Sequence, residues 1–289
     1  MTAVISILFD GLAYGMLLFV ISVGLSLTMG LMGFVNLAHG AFAMAGGYAT
    51  VGLMNGLGVP FQVSLGLAFV IVTAISVPLE RLLYRRLYAA DELDQVLLSI
   101  GLVFMAVATV TFIYGPAPPS IAMPAFLTGQ VDLGFRTVPA YRFFTIVVGL
   151  VMIVGLWLGF ERTILGAKIR AAVDNRRMAR SVGIDVDRLF LLTFALGSGL
   201  AGLGGGLAIE IVGMSPTFAI QYLVFFLIVV AVGGLGSIRG AFVAAVLLGV
   251  IDTAGKYYWP EGGAFFIYAA TVVLLLLKPA GLFGRDHAA

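Results

Sequence analysis

Long apolar runs, separated by short polar stretches, make up most of the chain. A helix that crosses a bilayer needs about 20 predominantly apolar residues. The chain holds nine apolar segments of roughly this kind: 3–30, 30–48, 61–79, 96–114, 143–160, 189–209, 217–232, 240–255 and 263–277. Their apolar runs are continuous, whereas the strands of a membrane barrel alternate between apolar and polar residues. We therefore predict an all-α fold, a polytopic transmembrane helical bundle with about eight to nine apolar segments.

The composition agrees with this pattern and excludes a soluble domain. Hydrophobic residues make up 61% of the 289 residues and charged residues only 10%, against about 25% charged residues in soluble domains. The polar gaps are shorter than about 30 residues, which is too short for a folded domain of roughly 50 residues. We predict a single transmembrane domain that covers residues 1–289 and has the lipid bilayer as its solvent.

The sequence offers no site for catalysis. It has no cysteine and two histidines, so we expect no metal site. No glycine cluster is followed by the Lys-Ser/Thr of a phosphate-binding loop, and no Gly-x-Ser-x-Gly motif occurs. The net charge is +2 without a long basic tract, which argues against a nucleic-acid partner. We expect a non-enzymatic chain without a cofactor, so a transporter of this kind must take its energy from a partner.

The stretch 161–188 is the longest polar segment of the chain. It holds seven of the sixteen Lys and Arg residues against four acidic residues. Apolar residues recur at helical intervals between these charges: Ile164, Ile169, Ala172, Val173, Ala179 and Val182. We predict an amphipathic helical loop on the cytoplasmic side, where positively charged loops are retained, and we interpret it as a docking surface. The alternative is a charged connector whose only role is to set the orientation.

Two further polar stretches bear on the orientation. Residues 80–95 contain three arginines and are predicted to be cytoplasmic, whereas the proline- and glycine-rich residues 115–142 are typical of an external connector. If all nine segments cross and the tail is inside, the N-terminus is outside. If one segment is re-entrant, the N-terminus is inside, and the sequence leaves both arrangements open.

The segment 30–48 combines several glycines with Asn36 and His39. Glycines allow a helix to break, and a broken helix at membrane depth normally lines a cavity. Asn36 and His39 are three residues apart and share a face if this stretch is helical. We predict that they lie on the translocation path. The alternative is a pair of helix-capping groups at the membrane interface.

Small residues mark another segment. Gly197, Ala201 and Gly205 lie four residues apart, a spacing used by closely packed membrane helices. Asp252 and Lys256, also four residues apart, can form an ion pair on one helix face.

A faint repeat connects the two halves of the chain. Residues 39–42 (HGAF) return as residues 239–242 (RGAF), and Gly33 matches Gly233 at the same offset. Transporters are often built from internal repeats whose broken helices meet at the substrate site, so this pattern predicts an internal repeat.

Four stretches resemble one known family. Residues 24–48 resemble the N-terminal signature of LivH-type permeases, the membrane subunits of ATP-binding-cassette importers for branched-chain amino acids. Residues 162–202 resemble the cytoplasmic loop and the following span of these proteins, and residues 233–252 and 278–284 also match. The stretches occur in the order and spacing of the family and cover most of the chain.

The resemblance assigns roles to two groups of residues. The loop positions that it implies to meet an ATPase subunit are Arg162, Thr163, Gly166, Arg170, Ala171, Asn175, Ala179, Gly183 and Ile184. The N-terminal motif, which we connect with the translocation path, contains Gly33, Asn36, His39, Gly40 and Phe42.

The resemblance also implies partners, a location and a substrate class. The partners are a second, LivM-type permease, two cytoplasmic ATPase subunits that bind the ATP, and a soluble solute-binding protein outside the cell. The location is the bacterial inner (cytoplasmic) membrane, and the cargo is a branched-chain or other hydrophobic amino acid. Urea and short amides are alternative cargoes, because relatives with similar motifs carry them. Two different classes of function also stay open, a self-sufficient channel or ion-coupled carrier and a membrane scaffold.

Overall fold

The structure, a computed structural model, describes residues 2–88, 90–132 and 137–284. Its helices are α1 (Thr2–Met32), α2 (His39–Leu57), α3 (Phe61–Leu82), a short 3-10 helix (Tyr84–Leu87), α4 (Glu92–Tyr114), α5 (Ala125–Thr128), α6 (Ala140–Glu161), α7 (Ile164–Asp174), α8 (Arg176–Ser181), α9 (Val186–Ile211), α10 (Phe218–Gly233), α11 (Ile238–Tyr258) and α12 (Phe265–Leu277). Two short strands, β1 (Gln130–Asp132) and β2 (Thr137–Pro139), pair antiparallel.

The predicted helical membrane bundle is confirmed. Each of the nine apolar segments forms a helix, and within the described ranges six helices are long and apolar enough to cross a membrane: α1, α3, α4, α6, α9 and α11. Helices α10 and α12 are apolar but shorter. The predicted connector 115–142 contains α5 and the β1–β2 pair, which the sequence analysis did not predict.

Contacts at the two termini of α1 define the two ends of the bundle. Asp10, near the start of α1, forms an ion pair with Arg142 in the first turn of α6, beside the small sheet. At the other terminus, the carbonyl group of Met32 accepts a hydrogen bond from Arg176 of α8. We call the end that holds β1 and β2 the sheet end, and the end that holds α7 and α8 the loop end.

The remaining helices alternate between these ends. Near the end of α2, Asn55 donates a hydrogen bond to the carbonyl of Ser120 at 2.9 Å, on the side of the sheet. Arg85, after α3, pairs at 2.8 Å with Asp187 at the start of α9, at the loop end. The amide of Phe283, after α12, donates to the carbonyl at the loop end of α10. Helix α1 therefore starts and α12 finishes at opposite ends of the bundle.

Helices α1 and α9 form the buried centre, and glycines allow them to touch. A Cβ atom on Gly24 of α1 would overlap the carbonyl group of Gly197, and one on Gly205 would overlap the carbonyl oxygen of Ala43 in α2. Ala201 is fully buried between these positions. The predicted close packing of the small residues is confirmed, while the outer faces of α4 and α6 stay exposed and apolar, as suits lipid contact.

Helices α2 and α10 begin inside the bundle rather than at its ends. The His39 ring, at the start of α2, lies 2.7 Å from the carbonyl oxygen of Ile21 in the middle of α1. Ile21 is 11 residues before the end of α1, so at 1.5 Å per residue α2 starts ~16 Å into the bundle. The start of α10 lies at the same depth, because Gly40 packs against Ala219. Residues 33–38 and 212–217, which lead into these helices, are not helical.

The two breaks have the same local structure, and the helices that follow them run in opposite directions. Each begins near a glycine with positive φ, Gly33 (59°) or Gly213 (80°), and ends in a short turn. In that turn the first amide of the helix donates to a carbonyl three residues back, His39 to Asn36 and Phe218 to Ser215. The helix contacts also repeat. The third helix of each half packs against the first helix of the other half, α3 against α9 and α11 against α1. Helices α1–α4 and α9–α12 therefore form an inverted repeat.

The predicted internal repeat is thus present, but the predicted residue correspondence is wrong. His39 starts α2 in the interior, whereas Arg239 lies in the first turn of α11 at the surface, where it pairs with Glu161 at 2.6 Å. Gly233 ends α10 and has no role like that of Gly33. The short sequence match arose because glycine, alanine and phenylalanine are common in this chain, and the structural counterpart of His39 is Phe218.

Candidate functional site

The predicted helical loop at the loop end consists of two helices with a break at Asn175. Thr163 caps α7, since its hydroxyl oxygen accepts the Gly166 amide at 3.2 Å. Asn175 ends α7 and caps α8, since its side-chain oxygen accepts the Met178 amide at 2.9 Å. Asparagine favours such capping geometry over a helix interior. The segment therefore turns at Asn175, which the prediction of one amphipathic stretch did not include.

One face of α7 and α8 is fixed to the bundle. Ile169, Ala172 and Ala179 are buried. A Cβ atom on Gly166 would overlap the carbonyl oxygen of Phe160 at the end of α6. The same carbonyl accepts a hydrogen bond from the Arg170 guanidinium. These contacts hold α7 against the end of α6, which is one of the candidate membrane-spanning helices.

The opposite face is exposed and apolar. Ile164, Ala167 and Ala171 are exposed at positions i, i+3 and i+7 of α7, which places them on one stripe. Ile164 is 77% exposed, and on α8 Met178 and Val182 are 61% and 68% exposed. We call these five residues the loop face. Exposed apolar residues in so polar a segment mark a candidate interaction surface.

The predicted coupling residues divide between the two faces. Gly166 and Ala179 are buried and Ile184 is half-buried. The exposed members are Arg162, Thr163, Arg170, Ala171, Asn175 and Gly183. Arg162 lies 5.3 Å from the ring centre of Trp157, and Gly183 has a positive φ of 84° that ends α8. Of this set, Ala171 alone belongs to the loop face. Ile164, Met178 and Val182 could have been identified from the sequence as members of the loop face, because they are apolar residues in a charged segment.

Contacts of Arg176 connect the loop to the first helix break. Arg176 of α8 donates to the Met32 carbonyl beside Gly33 and lies 4.9 Å from the ring centre of Phe190. Burial, and to a smaller extent the charge of Arg180, lowers the pKa of the Arg176 guanidinium, which stays charged because free arginine is so basic. Helix α8 is thus connected directly to the last residue of α1, immediately before the break that leads to α2.

Asn36 and His39 lie in the interior, at the first break. The Asn36 side-chain oxygen accepts the Ala38 amide at 3.1 Å and the Tyr84 hydroxyl at 3.0 Å. The His39 Nε2 atom must carry the proton, since its partner at 2.7 Å is the Ile21 carbonyl, which can only accept. The condition for a shared helical face is not met, because residues 33–38 are not helical. Asn36 does cap the turn, but in the core rather than at an interface.

Gly40 and Phe42, the other predicted path residues, pack against neighbouring helices. A Cβ atom on Gly40 would lie 2.5 Å from the Ala219 carbonyl oxygen. The Phe42 ring meets that of Phe194 edge to face at 5.7 Å. The four predicted path residues are thus brought together at the start of α2. Their part in translocation stays a prediction.

The sequence analysis missed a cavity at the sheet end. It has a volume of about 390 Å³ and opens between α1, α6, the end of α9, α10 and α11. Asp10 and Arg142 form one ion pair in its wall, and Asp252 and Lys256 form the predicted pair at 2.6 Å. Tyr14 and Tyr222 also line it. These residues come from distant parts of the chain, so no sequence motif could have assembled them.

Comparison with known proteins agrees with the architecture. Residues 7–277 match the family described as "Branched-chain amino acid transport system / permease component". The chain is 25% identical to the high-affinity branched-chain amino acid transport system permease protein LivH of Escherichia coli, over 97% of this chain and 95% of that protein. It is 27% identical to the corresponding permease protein BraD of Pseudomonas aeruginosa, with the same coverage.

A solved structure is similar in fold. The structure described as PsaBC from Streptococcus pneumoniae in complex with Fab superposes with a TM-score of 0.50 at 15% identity. The match covers 93% of this chain and 89% of the other. At this level of identity the similarity concerns the arrangement of helices alone.

Proposed function

This chain belongs to the family of permease components of branched-chain amino acid transport systems, and from this premise we propose that it is the membrane-spanning subunit of an ATP-driven importer. Its proposed cargo is a branched-chain amino acid, as the names of its relatives indicate. In this proposal it pairs with a second, LivM-type permease, receives its cargo from a soluble binding protein and binds two ATPase subunits. The chain itself carries out no catalysis.

The loop face is the observation that carries this proposal. Its apolar residues are exposed on two helices that lie outside the candidate membrane-spanning segments. Exposed apolar residues among charged ones are typical of a protein–protein contact. The attachment of α7 to the end of α6 makes this contact suitable for transmitting mechanical work.

The distribution of charge supports a cytoplasmic position for the loop end. Arg81, Arg85 and Arg86 lie at this end, together with the arginines of α7 and α8. Membrane proteins retain such positively charged segments in the cytoplasm. The sheet end then faces outward, where a soluble binding protein can reach it.

The proposed route of work runs from the loop face to the first helix break. An ATPase that moves α8 displaces Arg176, and Arg176 holds the Met32 carbonyl at the end of α1. Residues 33–38 follow directly and lead to the interior start of α2. Movement at the surface can therefore change the packing of α2 against its neighbours without a change in the ion pairs of the sheet end.

The proposal is tested by Ile164→Glu. Ile164 is 77% exposed, so the substitution leaves the fold intact while it places a charge in the contact. We expect recovery of the ATPase subunits with the affinity-purified permease to fall at least about tenfold, the effect of losing a central apolar anchor. Leu57→Glu is the matched control, because Leu57 is 75% exposed at the sheet end. Unchanged ATPase recovery with Ile164→Glu would overturn the docking assignment.

A further inference from the structure

The two halves of the inverted repeat differ in how closely their broken helix packs, and this difference creates the cavity at the sheet end. Helix α2 lies along α9, whereas its counterpart α10 touches α1 over a much smaller length. The fifth and eighth residues of α2 are Ala43 and Gly46, and both lie in direct contact with α9. The fifth and eighth residues of α10 are Tyr222 and Phe225, whose larger side chains line the cavity.

The gap between α1 and α10 is neither sealed nor purely apolar. Tyr222 and Phe225 line the cavity from one side and Tyr14 lines it from the other. Because α10 starts at the middle of the bundle, the cavity reaches from the sheet end to that depth. Lys256 at its rim lies 5.5 Å from the Tyr14 ring centre. A space of this size falls within the range of small-molecule sites, about 300–1,000 Å³.

The charges of the cavity are balanced. Two acids, Asp10 and Asp252, face two bases, Arg142 and Lys256. The Asp252 side chain is only 2% exposed, and one of its oxygens receives Lys256. Its other oxygen, Oδ1, is buried without a hydrogen-bond partner among the described residues. Such an oxygen is a strong acceptor, and a buried acceptor without a donor is costly.

From this arrangement we propose that the cavity binds a neutral α-amino acid as its zwitterion. The ammonium group donates to the free oxygen of Asp252, and the carboxylate accepts from Lys256 and Arg142. The aliphatic side chain of the ligand packs against Phe225 and the neighbouring residues Ile211 and Val212. The inference rests on the proposed function, to which it adds a site on the membrane subunit itself.

Charge balance also sets the selectivity. A zwitterion brings one positive and one negative group, so every charge in the cavity keeps a partner. A solute with a net charge leaves one group unpaired beside Asp252, whose side chain is only 2% exposed, which is unfavourable. The cavity therefore accepts leucine or valine and rejects lysine and glutamate.

The test uses the purified permease in lipid nanodiscs and measures equilibrium binding of radiolabelled L-leucine. Competitors are valine, N-acetyl-leucine, leucinamide, lysine and glutamate. We expect saturable leucine binding that valine displaces. Each of the other four compounds should compete at least about tenfold more weakly, the usual effect of losing one charge-assisted hydrogen bond. Because this series uses the unmodified protein, it does not depend on the stability of a variant.

Two variants then locate the site. Asp252→Asn removes the acceptor charge and should weaken leucine binding at least about tenfold. Thr253→Trp fills the cavity that Thr253 lines and should abolish binding. Their controls are Glu161→Gln, in the exposed ion pair at the loop end, and Thr109→Trp on the exposed face of α4. Both controls should bind leucine like the wild type.

The outcomes separate this inference from the proposed function. If the wild type binds no leucine, or if Asp252→Asn and Thr253→Trp bind it normally, the cavity assignment is wrong, even where ATPase subunits co-purify. If leucine binding follows the expected pattern but no ATPase subunit co-purifies, the site stands and the importer proposal fails.

Discussion

The two helix breaks share a backbone but differ in their surroundings. At the first break, before α2, side chains fill the space, with Asn36 bonded to Tyr84 and His39 to Ile21. At the second break, before α10, the only partner of the Ser215 hydroxyl among the described residues is the hydroxyl of Thr217, at 3.1 Å. The first is a rigid junction connected to the loop, and the second borders an open cavity. An inverted repeat can thus combine a closely packed break in one half with an open cavity in the other.

The largest expected effect concerns the equivalent positions Gly46 and Phe225. Gly46→Leu forces α2 away from α9, because even a Cβ atom would overlap the backbone of Gly202. We expect the free energy of unfolding to fall by about 3 kcal/mol or more, which would be measured as a much lower unfolding temperature in detergent. Phe225→Leu, beside the cavity, should lower the free energy of unfolding by about 1 kcal/mol. Equal unfolding temperatures for the two variants would show that the halves do not differ in packing.

The next comparison removes the polar groups that close each break. Asn36→Ala leaves the Tyr84 hydroxyl and the Ala38 amide without their acceptor, and we expect a destabilisation of about 1–3 kcal/mol. The matched variant Ser215→Ala, at the second break, should change the free energy of unfolding by no more than about 0.5 kcal/mol. Urea unfolding of both variants in the same detergent measures this difference. The comparison fails if Ser215→Ala proves to be the more harmful change.

Arg176 connects the first break to the loop face, and its removal should affect coupling more than stability. Arg176→Ala removes a charged hydrogen bond to the Met32 carbonyl, and ATP-dependent leucine uptake should fall about tenfold, while ATPase co-purification persists. Arg177→Ala changes the neighbouring exposed arginine and should leave uptake within about twofold of the wild type. Normal uptake with Arg176→Ala would place the coupling route elsewhere.

The smallest effect is expected at the second break. The Tyr222 hydroxyl donates to the Val212 carbonyl at 3.4 Å, a long and weak hydrogen bond. Tyr222→Phe should therefore change the free energy of unfolding by less than about 0.5 kcal/mol. A loss comparable to that of Asn36→Ala would mean that the second break is as tightly held as the first.

Much of this fold is encoded locally and was predictable. Continuous apolar runs identified every membrane helix, and the glycines around Asn36 and His39 identified the first break. The second break was missed, although Gly213 and Pro216 mark it, because nothing in the sequence distinguishes a polar gap inside the bundle from one at its surface. The loop was predicted as one amphipathic stretch, and the capping by Asn175 that divides it depends on a single side chain.

The cavity could not be predicted, for a different physical reason. Asp10, Arg142 and Asp252 belong to three helices far apart in the sequence, and a single charge near the end of an apolar segment is common in membrane proteins. Only the tertiary packing of α1, α6 and α11 brings them together. The Asp252–Lys256 pair was predictable because both residues lie on one helix.

The account depends on one arrangement, in which the cavity opens outward and the loop face lies in the cytoplasm. The chain has no native cysteine, so single introduced cysteines report this directly. In spheroplasts, a membrane-impermeant maleimide should label Thr253→Cys but not Ile164→Cys, and excess leucine should protect Thr253→Cys. Ile164→Cys should react only after the membrane is opened. Labelling of Ile164→Cys in sealed spheroplasts, with Thr253→Cys unreactive until they are opened, would contradict the account.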